Sequence, residues 1–272
     1  LTYSIQKQQR KLSNIEVKKK MSPDKISEVD KYIKNKTWLV KENANSGYSF
    51  SGLMSYLGEN TIKKHMLTNV YPHKISEAHK KGYMHIHDLG FGVIGYCSGW
   101  SLKDLLEEGF GGMPGKIHAA PPKHFGAALG QMVNFLGTLQ MEFAGAQAFS
   151  SFDTYLAPYV ARDRLTYKEV KQEMQEFIFG LNVPSRFANQ APFTNITLDW
   201  VVPDDLKEIH PTIAGKPIDE TYGDFQKEMD MINKAFIEIM IGGDATGRIF
   251  TFPIPTYNLT KDFKWDTDNA QL

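Results

Sequence analysis

The chain has a single cysteine, Cys97, in 272 residues. One thiol excludes an intramolecular disulfide framework and fits a reducing compartment, the cytoplasm. The sequence also lacks a charge excess. Lysine plus arginine and aspartate plus glutamate stand at 31 each, so no overall field favours nucleic acid or an anionic membrane as partner. Residues 1–20 are polar and basic with no apolar core behind them, so no signal peptide is legible. The one run that could be mistaken for a membrane span, residues 125–141, contains Gln131, Asn134 and Gln140 and is short and rich in Gly and Ala. It predicts a packed helix. Gly126, Ala127 and Gly130 fall on one side of that helix, where another backbone can come close, as in a buried or subunit-contacting helix.

Apolar residues make up 42% of the chain and aromatic residues 12%, enough for one large domain or two small ones. Ser22-Pro23 predicts a helix start, with Ile26, Val29 and Ile33 on one stripe. Further helices are predicted over residues 51–56, 61–69 and 75–81, the last ended by Gly82. Others are predicted over 101–108, about 122–147, 153–160, 167–180 and 225–241, with strands over 84–89, 194–201 and 249–252. Residues 209–223 read as an exposed excursion. Strands separated by long helices predict an α/β architecture with parallel pairing. The chain opens on Leu1 without a methionine and stops on Trp265 to Leu272 with no closing element, so a fragment of a longer protein is expected.

Several groups could carry chemistry. A lone cysteine is commonly a small buried hydrophobe, but Cys97 sits in the glycine-bracketed turn Gly95-Tyr96-Cys97-Ser98-Gly99-Trp100. His85 and His87 are two apart on a predicted strand, so both imidazoles would share a face beside Asp88. That suits either two metal ligands or a hydrogen-bonded pair in a packed site. No other histidine falls in a ligand-like motif, and no metal is expected. Gly90, Gly92 and Gly95 lack both the Gly-Lys-Ser/Thr ending and the Gly-x-Gly-x-x-Gly spacing of nucleotide loops. They are expected to turn the chain sharply and bring Cys97 close to a ligand. Asn43, Asn45 and Ser46, with Asn189, Gln190 and Thr194, offer uncharged donors and acceptors for ribose hydroxyls and phosphate oxygens, or alternatively for turn capping.

Read in order, Glu42-Asn43-Ala44-Asn45, His85-Ile86-His87-Asp88-Leu89, Tyr96-Cys97-Ser98-Gly99-Trp100, Ala146-Gln147-Ala148-Phe149-Ser150-Ser151-Phe152-Asp153, Asn189-Gln190-Ala191-Pro192-Phe193-Thr194-Asn195 and Phe252-Pro253-Ile254-Pro255-Thr256-Tyr257 resemble the class III anaerobic ribonucleoside-triphosphate reductases. The resemblance spans about residues 42–263. It implies a glycyl-radical enzyme on a ten-stranded α/β barrel of two five-stranded halves. Residues 83–272 would be the first half, and residues 1–82 a short helical segment leading into it.

In that family a radical-SAM activase, with an iron-sulfur cluster and S-adenosylmethionine, places a radical on a C-terminal glycine. A thiyl radical derived from it takes the 3′ hydrogen of the ribonucleotide, and a second cysteine helps the 2′ hydroxyl leave as water, with formate or a thiol as reductant. Cys97 matches that second cysteine, a role that demands a neutral thiol in a dry site. Tyr96 and Ser98 flank it as implied substrate contacts, while His85, His87 and Asp88 would support the site from behind. Gln131, with Asn134 on the same predicted helix, resembles the helix that binds a deoxynucleotide effector at the dimer contact. A homodimer, ATP or dNTP effectors and allosteric control follow from the resemblance. So does a structural zinc, whose four cysteines this chain lacks, as it lacks the thiyl cysteine and the glycyl-radical motif. The chain alone is therefore expected to be inactive, and its unpaired strand edge to make it poorly soluble. Two alternatives share the barrel: a glycyl-radical lyase of the formate-acetyltransferase type, and a non-catalytic nucleotide-binding half-barrel.

Overall fold

The computed structural model describes residues 28–34, 48–111, 114–261 and 263–271, the side chain of Phe187 excepted. They fall into two compact units. The first comprises Leu1–Tyr96, Met141–Ala144 and Pro184–Ala191, and the second Cys97–Gln140, Gly145–Val183 and Pro192–Leu272.

The first unit is helical. It holds α1 (Glu28–Lys34), α2 (Phe50–His65) continued by a π turn (Met66–Val70), and α3 (His73–Lys80). Ser49 caps α2 by accepting a hydrogen bond from the Gly52 N–H at 3.1 Å, and the buried Tyr32 hydroxyl holds the Ser49 backbone at 3.0 Å on both its N–H and its carbonyl. The two helices expected over 51–69 are thus one, running through Gly58. Gly82, at φ 75, closes the turn after α3 as expected.

The strand predicted over 84–89 does not form. Asp88 sits at φ 47, which a strand cannot accommodate, and the Ile86 N–H donates to His79 Nδ1 at 3.2 Å instead of to a ladder. The segment bends into a 3-10 turn (Leu89–Phe91). Its glycines serve packing: a Cβ on Gly90 would lie 2.7 Å from Glu59 Cβ on α2. The close approach expected of these glycines is to a helix, within the same unit.

The second unit carries the sheet. β1 (Ser98–Trp100), β2 (Gln147–Phe149), β3 (Thr194–Leu198) and, later in the chain, a strand at Ile254–Tyr257 pair in parallel, in sequence order. Between them run α4 (Leu102–Glu108), α5 (Phe125–Leu139), α6 (Phe152–Asp163), α7 (Tyr167–Asn182), the small antiparallel hairpin β4 (Thr212–Ile213) and β5 (Lys216–Pro217), and α8 (Gln226–Gly242). The strand at Ile254–Tyr257 is β6, and α9 (Asp268–Gln271) follows it. Parallel strands laid down in sequence order, with every crossover of one hand, gather their helices on one face, and the buried core residues of these strands and helices form one cluster. This is the α/β class expected.

Two predicted boundaries move, and one predicted excursion is partly built into the fold. The helix expected over 122–147 stops at Leu139, and Gln147 belongs to β2, where Gln147 and Phe149 are buried while Ala148 is half-buried. The strand expected at 249–252 begins two residues beyond it. The Asn182 side chain takes the hydrogen bonds of that stretch, accepting from the Thr251 and Phe252 N–H groups at 3.0 and 3.2 Å and donating to the Phe252 carbonyl at 2.6 Å. The excursion over 209–223 contains the β4–β5 hairpin and buries Ile213 and Tyr222.

The core lies on the helix-covered side of the sheet. Phe149, Ile196 and Leu198 project into Phe125, Met132, Phe177, Met229 and Phe236, all essentially inaccessible. Helices α5 and α7 meet closely: a Cβ on Gly126 would sit 3.0 Å from Glu173, whereas Gly130, on the same expected face, looks into open space. No helix among the described residues is long and apolar enough to cross a membrane.

Candidate active site

Alternation along the strands decides which side chains share a face with Cys97. In the register Ser98–Gln147–Thr194 and Trp100–Phe149–Ile196, these six residues point toward the helices, and Trp100 Nε1 donates to Gln147 Oε1 at 2.6 Å on that side. The opposite face therefore carries Gly99, Ala148, Asn195 and Ile254, then Thr197 and Thr256. Asn195 Nδ2 donates to Thr256 Oγ1 at 3.1 Å across it. Cys97, one residue before β1 and one step from Ser98, belongs to this second face and is exposed and free. The Ala146 N–H donates to Cys97 Sγ at 3.2 Å. That bond fixes the sulfur and occupies a lone pair, leaving its S–H hydrogen to be given elsewhere.

The same alternation separates two expected substrate contacts from the thiol. Thr194 is fully buried on the helix side, and its hydroxyl has no hydrogen-bond partner. Ser98 shares that side. Asn195 and Thr256, which the sequence reading passed over, stand on the face of Cys97; with Ile196 and Leu198 recognised as core, period-two counting identifies Asn195.

A buried polar cluster locks the ends of β3 and β6. Asp153, in the first turn of α6, accepts four hydrogen bonds. Its Oδ1 takes the N–H groups of Thr154 (3.0 Å) and Asp199 (2.8 Å), and its Oδ2 takes the Trp200 N–H and Asn233 Nδ2 (both 2.8 Å). Asp199 in turn accepts from the Thr154 hydroxyl and from Asn258 Nδ2, each at 2.7 Å. Burial pushes the Asp153 carboxyl up to about 6, against the pull of the Asn233, Asp199 and Trp200 donors. This cluster sits at the carboxyl ends of the parallel strands β3 and β6.

In the first unit the expected supporting residues do meet, on a bend and not on a strand. His85 Nε2 and His87 Nδ1 are 3.4 Å apart, His87 Nε2 lies 3.6 Å from Asp88 Oδ2, and the His87 ring is 6.1 Å from that of the exposed Tyr96. Among the described residues no three His, Cys, Asp or Glu side chains gather as metal ligands. Asn189 is half-buried with φ 61, a conformation asparagine tolerates. Gln190 is buried, and its Oε1 accepts from Arg186 Nη1 at 3.3 Å. Arg186, unmarked in the sequence, is itself buried and donates through Nη2 to the carbonyls of Phe143 and Ala144 at 2.7 and 2.9 Å. Desolvation lowers its affinity for the proton, and the charges of Asp88 and Glu59 raise it. Asn43, Asn45 and Ser46 lie outside the described residues.

The effector candidates are on α5. Gln131 Nε2 donates to the Ala120 carbonyl at 2.8 Å while its buried Oε1 has no partner, and the Asn134 side chain is exposed.

Comparison with known proteins gives one answer. Residues 42–272 match the family profile described as anaerobic ribonucleoside-triphosphate reductase. The reductase of that name from Enterobacteria phage T4 is 27% identical over 190 residues, which is 60% of this chain and 31% of the phage protein. That from Haemophilus influenzae is 28% identical over 150 residues, 54% of this chain and 20% of the relative. The chain thus spans a third or less of these relatives. The Thermotoga maritima anaerobic ribonucleotide reductase in complex with dATP and CTP superposes with a TM-score of 0.59 at 18% identity, over 76% of this chain and 37% of that one. The same enzyme with MES in its active site gives 0.60 at 16% identity, over 94% and 44%. At those identities the likeness shows the fold alone. By the profile match across most of its length, the chain belongs to the anaerobic ribonucleoside-triphosphate reductase family.

Proposed function

We propose that this chain supplies the thiol-bearing half of the barrel in an anaerobic reductase that converts ribonucleoside triphosphates to deoxyribonucleoside triphosphates by radical chemistry. The half in question is the first of two five-stranded halves of a ten-stranded α/β barrel, preceded by a helical segment. The observation that carries the reading is the position of Cys97: exposed, on the sheet face opposite the core helices of its unit, inside a sequence that matches the family from residue 42 onward.

As the C2′–O bond of the ribose breaks with its electron pair going to oxygen, the Cys97 S–H passes a proton to that oxygen, which leaves as water, and the sulfur becomes a thiolate. The Ala146 N–H holds the sulfur in place and stabilises the charge it gains. Asn195 and Thr256, hydrogen-bonded to each other on the same face, offer amide and hydroxyl groups to the ribose hydroxyls. Asn43, Asn45, Ser46, Tyr96 and Asn189 are further substrate contacts in this reading. Ser98, Thr194 and Gln190 act only by shaping the backbone, since their side chains face the helices or are engaged elsewhere. His85, His87 and Asp88 support the segment that leads to Cys97.

A glycyl radical on a longer chain, generated by an S-adenosylmethionine and iron-sulfur activase, supplies the one-electron chemistry, with formate or a thiol as reductant and zinc as a structural ion. Gln131 and Asn134 on α5 contact a deoxynucleotide effector at a homodimer interface. The dATP and CTP bound by the Thermotoga maritima enzyme support nucleotide roles of this kind. A single free thiol fits the cytoplasm.

Replacing Cys97 with alanine in the complete enzyme tests the assignment. Deoxynucleotide formation, followed chromatographically, is expected to fall to background while the glycyl radical still forms by electron paramagnetic resonance. Turnover at the wild-type rate would remove Cys97 from the mechanism.

A further inference from the structure

Gln147 is a polar side chain on a face otherwise given to packing. It stands on the helix side of β2, 1% exposed, two positions before the core residue Phe149. A buried amide is stable in such a place only when both of its ends are bonded. Both are. The Trp100 indole can only donate, so its 2.6 Å bond falls on Oε1 and turns Nε2 the other way, onto the Ala146 carbonyl at 3.3 Å. The Trp100 ring is held in turn by Phe135 on α5, edge to face with centroids 5.3 Å apart.

Ala146 is the residue whose N–H holds the Cys97 sulfur at 3.2 Å. Its carbonyl accepts from the Ser98 N–H at 3.1 Å as well as from Gln147. Two donors on that carbonyl fix Ala146 against β1, and with it the direction in which its N–H points. The contacts close a ring: from Cys97 along β1 to Trp100, across to Gln147, back to Ala146 and on to the sulfur. We infer that Gln147 is a positioning residue for the Cys97 thiol, acting through Ala146 from the opposite face of the sheet and touching no substrate. The inference rests on the role of Cys97 proposed above. Proton transfer to the departing oxygen demands a placed sulfur, since a shift of about 1 Å in a reacting group costs about 100-fold in rate. The Ala146 N–H also has to face the sulfur as it becomes a thiolate.

Gln147→Met and Gln147→Glu in the complete enzyme test the inference, with Cys97→Ala alongside. Methionine keeps the length of the side chain and loses both hydrogen bonds. Glutamate keeps the acceptor for Trp100 and donates to the Ala146 carbonyl only when protonated, a form that burial favours. In both variants kcat is expected to fall about tenfold or more at about pH 8, with KM for the ribonucleotide within twofold of wild type. The glycyl radical is expected to reach wild-type amplitude by electron paramagnetic resonance. Lowering the pH to about 6.5 is expected to restore kcat in Gln147→Glu, relative to wild type, and to leave the ratio for Gln147→Met where it was. A merely structural role would lower radical and kcat together and show no such recovery. A folded variant of either kind with kcat within twofold of wild type overturns the inference, as does a kcat that falls only in proportion to the radical. Turnover by Cys97→Ala at the wild-type rate removes the underlying reading instead.

Discussion

Truncating Asp153 to alanine removes the acceptor for four donors at once, three of them backbone N–H groups and one the Asn233 amide. The site is inaccessible, so water cannot replace the lost oxygen atoms. Each buried donor left unpaired costs about 1 to 3 kcal/mol, and loss of an uncomfortable buried charge offsets part of that. The carboxyl's displacement from 3.8 to about 6 corresponds to about 3 kcal/mol spent on keeping it ionised at neutral pH. The net loss for Asp153→Ala comes to about 3 to 5 kcal/mol, or roughly 10 °C in Tm for a unit of this size. Asp153→Asn is milder, about 1 to 3 kcal/mol, because the amide keeps one oxygen in place to accept from two of the four donors. The pH dependence separates charge from shape. Below about pH 3.8 the carboxyl is protonated folded and unfolded; between 3.8 and about 6 only the unfolded form has ionised, so folding loses ground as pH rises. The stability advantage of the wild type over Asp153→Asn therefore shrinks by about 2 kcal/mol from pH 4 to pH 6.5. Urea titrations of both proteins across that range measure it. A constant difference between them, or an alanine variant melting within 2 °C of wild type, would refute the reasoning.

Arg186→Ala strands the carbonyls of Phe143 and Ala144, and Arg186→Lys cannot span both with one ammonium as the planar guanidinium does. Losses of about 2 to 4 and 1 to 2 kcal/mol are expected in urea titrations, the larger for alanine. Thr194→Val replaces a buried hydroxyl that has no partner with a methyl of the same shape, so a change between zero and about 1 kcal/mol in the stabilising direction is expected from the thermal midpoint. A clear destabilisation would mean that the hydroxyl is bonded in the folded protein.

Much of the helical framework was legible because its signals are local. Gly109 ends α4 at φ 83, where a Cβ would collide with the Ala119 carbonyl at 2.2 Å, and Thr166 with Glu169 forms the capping box that starts α7. The short strands were the difficulty. Gln147-Ala148-Phe149 follows a run of Gly and Ala with no alternation strong enough to break the helix reading, while Met84 to Asp88 alternates well and forms no strand. A strand exists only when a neighbour supplies its ladder partners, and those partners lie about 50 residues away along the chain.

The site divides in the same way. Residue types and their order along the chain were enough to single out Cys97 and to suggest the family, because a motif is a statement about sequence. Which face of the sheet each side chain occupies is fixed by register between distant strands, so only the folded chain moved Thr194 away from the thiol and brought Asn195 and Thr256 to its side. The buried acceptors of Asp153 and the carbonyls gathered by Arg186 likewise unite residues from separate segments. Their energetics come from exclusion of water, a property of packing in three dimensions that no local pattern encodes.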